Sequence, residues 1–343
     1  MNAYICSKND VYNGINFINS FLDNDLLVNK YDVIIHENML ERDMGFSSYS
    51  SHKTNMFNLN ERLKNNNIKL YIILSSVPHK LYDVYNHSNI QLISLPFFHI
   101  YIMLTECGIE TWDEYNKFYK NSLNGNGFSN LLLSLNRRPH YHRCIMMDYL
   151  AKYKISESIS YTWSTDEPII GNYKFKWWTP SINMFSMDSD VYNCKDVLHG
   201  NPAFHLVTES QVDKISFSEK VFKPLLSGIP FLVFGAHGFH KKLQEYGFEL
   251  YDEIFNYSFD LIFDDNNRAM GIAQNFSKLK NKNYQEIVHS IYNKVERNRN
   301  HALDIFYNKK FIPNELNEIF TKFIKPNKDT HNVVYTRIDD YLN

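Results

Sequence analysis

A two-domain α/β protein with parallel sheets is the fold class that this sequence predicts, and three observations predict it. Short apolar runs alternate with helical segments along both halves of the chain. A strand, loop, helix, strand unit can be read residue by residue in FHLVTESQVDKISFSEKVFKPLLSGIPFLVF, residues 204–234. A Gly- and Asn-rich break, NSLNGNGFSN at 121–130, separates the halves. The 343 residues, 44% of them hydrophobic, suit about two domains on a prior of roughly 100–200 residues each.

The first half offers three strand-like runs, at 32–35 (DVII), 70–74 (LYIIL) and 90–95 (IQLISL), with a helix expected between the first two, ending near Leu63-Lys64. Residues 97–108 are apolar and aromatic, and 110–120 (ETWDEYNKFYK) predict an amphipathic helix burying Trp112, Tyr115 and Phe118. With the break taken as the linker, the domains are 1–124 and 125–325, followed by a polar tail, 326–343. The second domain opens with LLLSL at 131–135 and a helix from about 140 to 154. In the 204–234 unit, Ser218 suits an N-cap, Glu219 the positive end of the helix dipole and Gly228 the C-terminal stop. Pro224 inside that helix predicts a kink or an early end. Residues 231–234 form a buried parallel strand, and 253–310 are largely helical.

Composition narrows the function classes. A formal net charge of -2 supplies no global basic field, so nucleic-acid binding needs a local patch. Cys6, Cys107, Cys144 and Cys194 form no CxxC pair, which disfavours zinc ribbons and a disulfide scaffold. No apolar run reaches a membrane span and the first residues do not read as a leader, so the expectation is a cytoplasmic protein. Abundant Asn, Lys, Tyr, Ile and Phe match the bias of an AT-rich genome such as some phages carry. No G-x-G-x-x-G follows a predicted strand, which disfavours a dinucleotide oxidoreductase.

Two strand ends in the second domain carry phosphate-compatible chemistry. In LLLSLNRRPHYHR, Arg137, Arg138 and Arg143 offer planar, permanently charged donors, against the plainer reading of a solvated helix entrance. At Ser218-Glu219-Lys220, the lysine can neutralise a diphosphate and the glutamate can accept from ribose hydroxyls, while Glu209 is a candidate for base or ribose. The plainer reading there is a Glu–Lys pair on a solvated helix face. Asp188-Ser189-Asp190 has the spacing of a metal-binding Asp-x-Asp, but lacks a clear preceding strand; no metal is expected. Trp177-Trp178, His237 and His240 read as core and loop, and Gly235 and Gly238 as points where backbone can approach a ligand.

Taken in order, Ser134-Leu135-Asn136, Val207-Thr208-Glu209-Ser210, Ser218-Glu219-Lys220 and Leu226-Ser227-Gly228 resemble the donor-nucleotide domain of fucosyltransferase-like GT-B glycosyltransferases over roughly 100 residues of the second domain. Ser218 stands where that family has Thr, and Val207-Thr208 where it has Phe. The resemblance implies a GT-B-like fold of two facing Rossmann-like domains and transfer of a sugar from a nucleotide-sugar donor to an acceptor hydroxyl, with no metal and no further cofactor. It implies donor binding by Asn136, Arg138, Arg143, Glu209, Ser218, Glu219 and Lys220, with Glu219 on the ribose and Lys220 plus either Arg138 or Arg143 on the diphosphate. A second glutamate eight residues beyond Glu219 would favour retention; Ser227 stands there, so inversion is favoured. The acceptor base would come from the first domain, with Glu37, just after the DVII strand, as the candidate and His36 as the alternative. The acceptor is a glycan, a protein or a modified DNA base; a phage enzyme acting on hydroxylated bases and an inactive nucleotide- or glycan-binding module are the rivals.

Overall fold

The computed structural model describes residues 2–5, 16–38, 49–74, 87–136, 139–155, 159–160, 169–170, 173–177, 195–314 and 316–318. The chain divides into two compact units, one built from residues up to Phe98 with a return from Phe311, the other from His99–Lys310.

The first unit holds a parallel sheet of β1 (Ala3–Ile5), β2 (Val33–Asn38), β3 (Lys69–Leu74) and β4 (Ile90–Ser94), in the spatial order β1-β2-β3-β4. Strands covered on both faces read as unbroken apolar runs, and β3 is buried from Leu70 to Leu74. Tyr4, Ile34, Leu70, Ile72, Leu74 and Ile90 form one face of this core. Against that face pack Ile18, Phe21 and Leu22 of a helix at 16–22, and Met56, Leu59 and Leu63 of α1 (Tyr49–Asn65). Right-handed crossovers that always step in one direction place their helices on one side of the sheet, as these two are. The strand expected at 32–35 runs further. His36, Glu37 and Asn38 belong to β2, their backbones in register with Ile72, Ile73 and Leu74 of β3.

The second unit contains β5 (Asn130–Leu133), β6 (Ile159–Ser160), β9 (Pro202–Thr208) and β10 (Phe231–Phe234), all parallel in the order β10-β9-β5-β6, and a separate antiparallel pair, β7 (Ile169–Ile170) and β8 (Tyr173–Lys174). Its helices are α2 (Phe98–Cys107), α3 (Ile109–Asn121), α4 (Tyr141–Lys152), α5 (Glu219–Ser227), α6 (Phe239–Glu245), α7 (Asp265–Leu279) and α8 (Tyr284–Tyr307). The chain steps from β5 outward to β6, then crosses back to β9 and β10 on the other side. This reversal sends crossover helices to opposite faces: α4 packs against α7, while α5 packs against α3 and α8. The two parallel sheets, each with its helices, are the Rossmann-like α/β pair that the sequence predicts.

Three local expectations change. The segment 121–130 lies within the second unit, which begins at His99. Ser122–Asn126 prolongs α3 as a π-helical turn and Gly127, at φ 75°, redirects the chain into β5. Gly and Asn mark turns, and turns occur inside domains as readily as between them. Helix α3 is fastened to the second unit by Tyr119 Oη donating to Ala203 O (2.6 Å), Asn116 Nδ2 donating to Ser227 O (3.2 Å) and a Lys120–Glu296 ion pair (2.7 Å). Its buried stripe is therefore Trp112, Asn116 and Tyr119, and Phe118 is exposed. Finally, α5 does not end early at Pro224. It continues to Ser227, and Gly228 closes it at φ 67° with Ile229 N–H donating to Pro224 O (2.9 Å). The bond lost at proline is offset by burial of Val221, Phe222, Leu225 and Leu226.

The tail 326–343, Asp188 and Asp190 lie outside the described residues, as do Cys6 and Cys194; Cys107 and Cys144 are free thiols. Among the described residues no helix is long and apolar enough to cross a membrane, and no three His, Cys, Asp or Glu side chains gather as a metal site.

Candidate functional site

A reversal of strand order opens a crevice beyond the carboxyl ends of the two strands where it occurs, because the loops leave toward opposite faces. Here those strands are β5 and β9. The segment after β5 supplies Ser134 and Asn136, and β9 ends in Thr208 with Glu209 next, all four buried. The Thr208 hydroxyl donates to Asn136 Oδ1 across the reversal, and Asn136 Nδ2 donates to Ser134 Oγ (2.7 Å). This polar tie joins the two strand ends at the reversal, where the rule places a ligand crevice.

The Glu209 carboxylate turns toward the start of α5. Its Oε2 accepts from Ser218 Oγ (2.7 Å) and its Oε1 from Ser218 N–H (3.3 Å), while Ser218 Oγ in turn accepts from Lys220 N–H (3.2 Å). Ser218 is thus both the N-cap of α5 and the hinge pin between β9 and α5. Burial raises the Glu209 pKa, against the pull of Lys220.

Glu219 and Lys220 follow as the first turn of α5. Lys220 Nζ donates to Glu219 Oε1 (2.7 Å) and lies 3.5 Å from Ser218 Oγ. The pair is not on a solvated face: Glu219 is buried and Lys220 is partly covered. Burial by itself would raise the Glu219 pKa, but Lys220 and then His99 outweigh it and hold the carboxyl at about 2. Glu219 is therefore ionised at neutral pH. Its Oε2 has no hydrogen-bond partner among the described residues, which leaves an acceptor for vicinal hydroxyls.

From the other side, α4 clamps the same loop. A ring nitrogen of His142 donates to Glu209 O (2.7 Å), and burial pushes the His142 pKa down to about 4, so the imidazole is neutral. Arg143 is buried, its Nη2 donating to Thr208 O (3.2 Å) and Ser210 Oγ (3.3 Å). At the end of β10, Phe234 O accepts from Glu209 N–H (3.0 Å), and the buried Arg268 donates from Nε to Gly235 O (3.1 Å). His240 is a core residue: its Nε2 accepts from Val233 N–H (3.1 Å) and its Nδ1 donates to Asp260 (2.8 Å), which fixes the tautomer.

Of the residues singled out in the sequence, Asn136, Arg143, Glu209, Ser218, Glu219 and Lys220 are thus linked at the carboxyl ends of β5 and β9, the first two through Thr208. Arg138 lies outside the described residues. His36 and Glu37 are placed at the carboxyl end of β2 in the first unit, where only the backbone is described. Sequence reasoning missed His99, His142 and Arg268. For Arg268 a signal existed, a lone arginine on the Ala269, Ile272, Ala273, Phe276 side of a helix, where a guanidinium has to be buried and bonded. A surface cleft of about 1030 Å³ lies elsewhere, lined by residues including Tyr257, Asn275 and Lys294. Phe231, the first residue of β10, packs on Tyr251 in the loop that lines it, and Lys294 is engaged by Asp252 and Glu253. It does not belong to the crevice at the carboxyl ends.

No family model matches the chain, and neither a curated protein nor a solved structure matches it.

Proposed function

We propose that the protein is a glycosyltransferase that moves a sugar from a nucleoside diphosphate donor to an acceptor hydroxyl, with inversion and without a metal. Its two parallel-sheet α/β units are consistent with a GT-B-type, nucleotide-sugar-binding architecture. The observation that carries the proposal is the convergence of an ionised, mostly buried Glu219 and its neighbour Lys220 at a helix start beside the strand-order reversal. Glu219 would take the ribose hydroxyls on its open Oε2. Lys220, with Arg138 or Arg143, would meet the diphosphate. The Glu209–Ser218 clamp and the Asn136–Thr208 tie would hold that turn in place.

In the reaction, the acceptor oxygen attacks the anomeric carbon from the face opposite the diphosphate, and the bond from that carbon to the diphosphate oxygen breaks. Glu37, or His36, receives the hydroxyl proton. Lys220 and the arginine stabilise the negative charge that grows on the leaving diphosphate. The deciding experiment is a transfer and hydrolysis assay over a panel of nucleotide sugars with the wild-type chain and Lys220→Ala. Turnover with one donor, lost in the variant while the fold is kept, is expected. Thermal stabilisation by nucleotides without turnover would instead identify a binding module.

An acceptor in DNA is the second reading, and one surface favours it: the exposed Trp177 ring has Lys152 Nζ at 4.7 Å and Lys176 Nζ at 5.7 Å from its centroid. DNA affinity that falls steeply with salt and drops in Trp177→Ala would support it, and salt-insensitive binding would remove it.

A further inference from the structure

Phe263 is the large apolar side chain most at odds with its setting in the second unit. It follows a short 3-10 turn at Tyr257–Leu261 and stands just before Asp264, the N-cap of α7. Its side chain is 81% exposed, yet the ring is far from loose. It lies parallel to the His237 imidazole, with centroids 3.9 Å apart and planes 13° from each other. One face of the phenyl is therefore covered by His237 and the other is open to solvent.

Buried polar groups hold both partners in register. Arg268, 2% exposed, donates through Nη1 to Ile262 O (2.7 Å) and Phe263 O (3.0 Å), and through Nε to Gly235 O (3.1 Å). One guanidinium thus fixes the backbone carrying Phe263 and the start of the loop carrying His237. Gly238 N–H donates to Asp260 O (2.7 Å), and the Asp260 carboxylate accepts from His240 and from Lys241 N–H (3.0 Å), so the loop is pinned at its far end as well. Scattered exposed hydrophobics are ordinary on protein surfaces. An exposed ring pre-stacked on a second ring, over backbone held by a buried arginine, is a preorganised platform for a third planar ring.

The platform sits at the same end of the sheet as the crevice. Phe234 O is bonded to Glu209 N–H, and the Phe234 ring lies under the Arg268 guanidinium at 5.5 Å. We infer that the nucleobase of the ligand stacks on the open face of Phe263, with His237 behind it, so that the site selects a nucleoside diphosphate over a bare diphosphate. This inference rests on the assignment of Glu219 and Lys220 to ribose and diphosphate, and extends it to the base.

Calorimetric titration of the full chain with ADP, GDP, CDP, UDP, ribose 5-phosphate and inorganic pyrophosphate tests it, using wild type, Phe263→Ala, Phe263→Trp and Lys220→Ala. The expected result is that Phe263→Ala weakens the best nucleoside diphosphate about tenfold or more and leaves pyrophosphate unchanged, Phe263→Trp binds like wild type, and Lys220→Ala weakens both. Because Phe263 is exposed, its variants keep the wild-type melting temperature. Nucleoside diphosphate affinity within twofold of wild type in Phe263→Ala, alongside a clear loss in Lys220→Ala, would overturn the base platform and leave the diphosphate site standing. Pyrophosphate binding as tight as any nucleotide would also overturn it. No binding of any probe to wild type would remove both.

Discussion

The two sheets are built from the same parts in a different order. Both are parallel, but in the first unit the strands follow one another as β1-β2-β3-β4, while in the second the order β10-β9-β5-β6 turns back on itself. In the first, one face packs on helices lying to one side, and the cluster built there, Tyr4, Ile34, Leu70, Ile72 and their partners, is apolar apart from the tyrosine hydroxyl. In the second, helices divide between two faces, and the turning point is lined by Ser134, Asn136, Thr208, Glu209 and Ser218. The lesson is that strand order, more than strand composition, decides where polar groups gather. Only a reversal leaves space for a ligand between neighbouring strand ends.

The proposed function gives the two sheets separate tasks, which mutation can pull apart. The largest expected effect is at the end of β2. Glu37→Gln, or His36→Gln if the histidine is the base, should lower kcat by roughly 10²- to 10⁴-fold and leave nucleoside diphosphate affinity unchanged. Steady-state transfer assays beside calorimetry would show it. Normal turnover in both variants would take the base away from the first sheet.

Lys220→Ala comes next and should do the reverse of sparing affinity. Turnover is expected to fall by roughly 10²- to 10³-fold together with weaker nucleotide binding, since in the proposed role the lysine binds the diphosphate in the ground state and stabilises the further charge that grows on it in the transition state. The Glu219 pKa should rise from about 2, because Lys220 is the main influence holding it down. A circular dichroism spectrum like that of wild type would show that the change is local.

Acid should separate the sheets without mutation. Burial lowers His142 and His205 to about 4, and both rings bond backbone carbonyls, of Glu209 and Val197, in or next to β9. Unfolded histidine titrates near 6.5, so between about 6.5 and 4 the unfolded chain binds more protons, and the stability present above that window is lost as pH falls through it. Each ring is worth on the order of 3 kcal/mol across the full window. Glu219 acts lower: its contribution is present above the usual carboxylate value and is lost as pH falls toward 2. Hydrogen exchange followed by mass spectrometry should show β5 and β9 losing protection between pH 6.5 and 4 while β3 holds, and His205→Gln should flatten the response. Equal loss in both sheets would break the contrast.

Much of this was legible in the sequence, and the gaps have physical causes. Apolar runs marked β2, β3, β4, β5, β9 and β10, because a strand buried on both faces needs them. Ser218, Glu219 and Gly228 marked the bounds of α5 because caps are local chemistry. What binds α3 to the second unit is long-range and leaves no local mark in the sequence: Tyr119 reaches Ala203, and Asn116 reaches Ser227. The division of roles inside the site was also invisible. Nothing local says that Arg143 turns inward to Thr208, 65 residues along the chain, or that Glu209 is occupied by Ser218 at the far end of the loop between β9 and α5.

The smallest expected effect probes the reversal itself. Thr208→Val keeps the shape of the side chain and removes the hydroxyl that donates to Asn136 Oδ1. Both residues are buried, so the asparagine carbonyl loses a donor that water does not readily replace, and the loss of the bond should cost about 0.5–1.5 kcal/mol. If the tie is only structural glue, the loss should appear in denaturation alone. If it also holds Asn136 in place for the donor, nucleotide affinity should fall as well, although Thr208 itself is assigned no contact with the ligand. Thr208→Ser separates the two cases: it keeps the hydroxyl that donates to Asn136 and removes only the methyl, so affinity should stay near wild type while stability falls by the lost packing. Affinity that falls as far in Thr208→Ser as in Thr208→Val would mean that the site is shaped by packing and not by the polar bridge across β5 and β9.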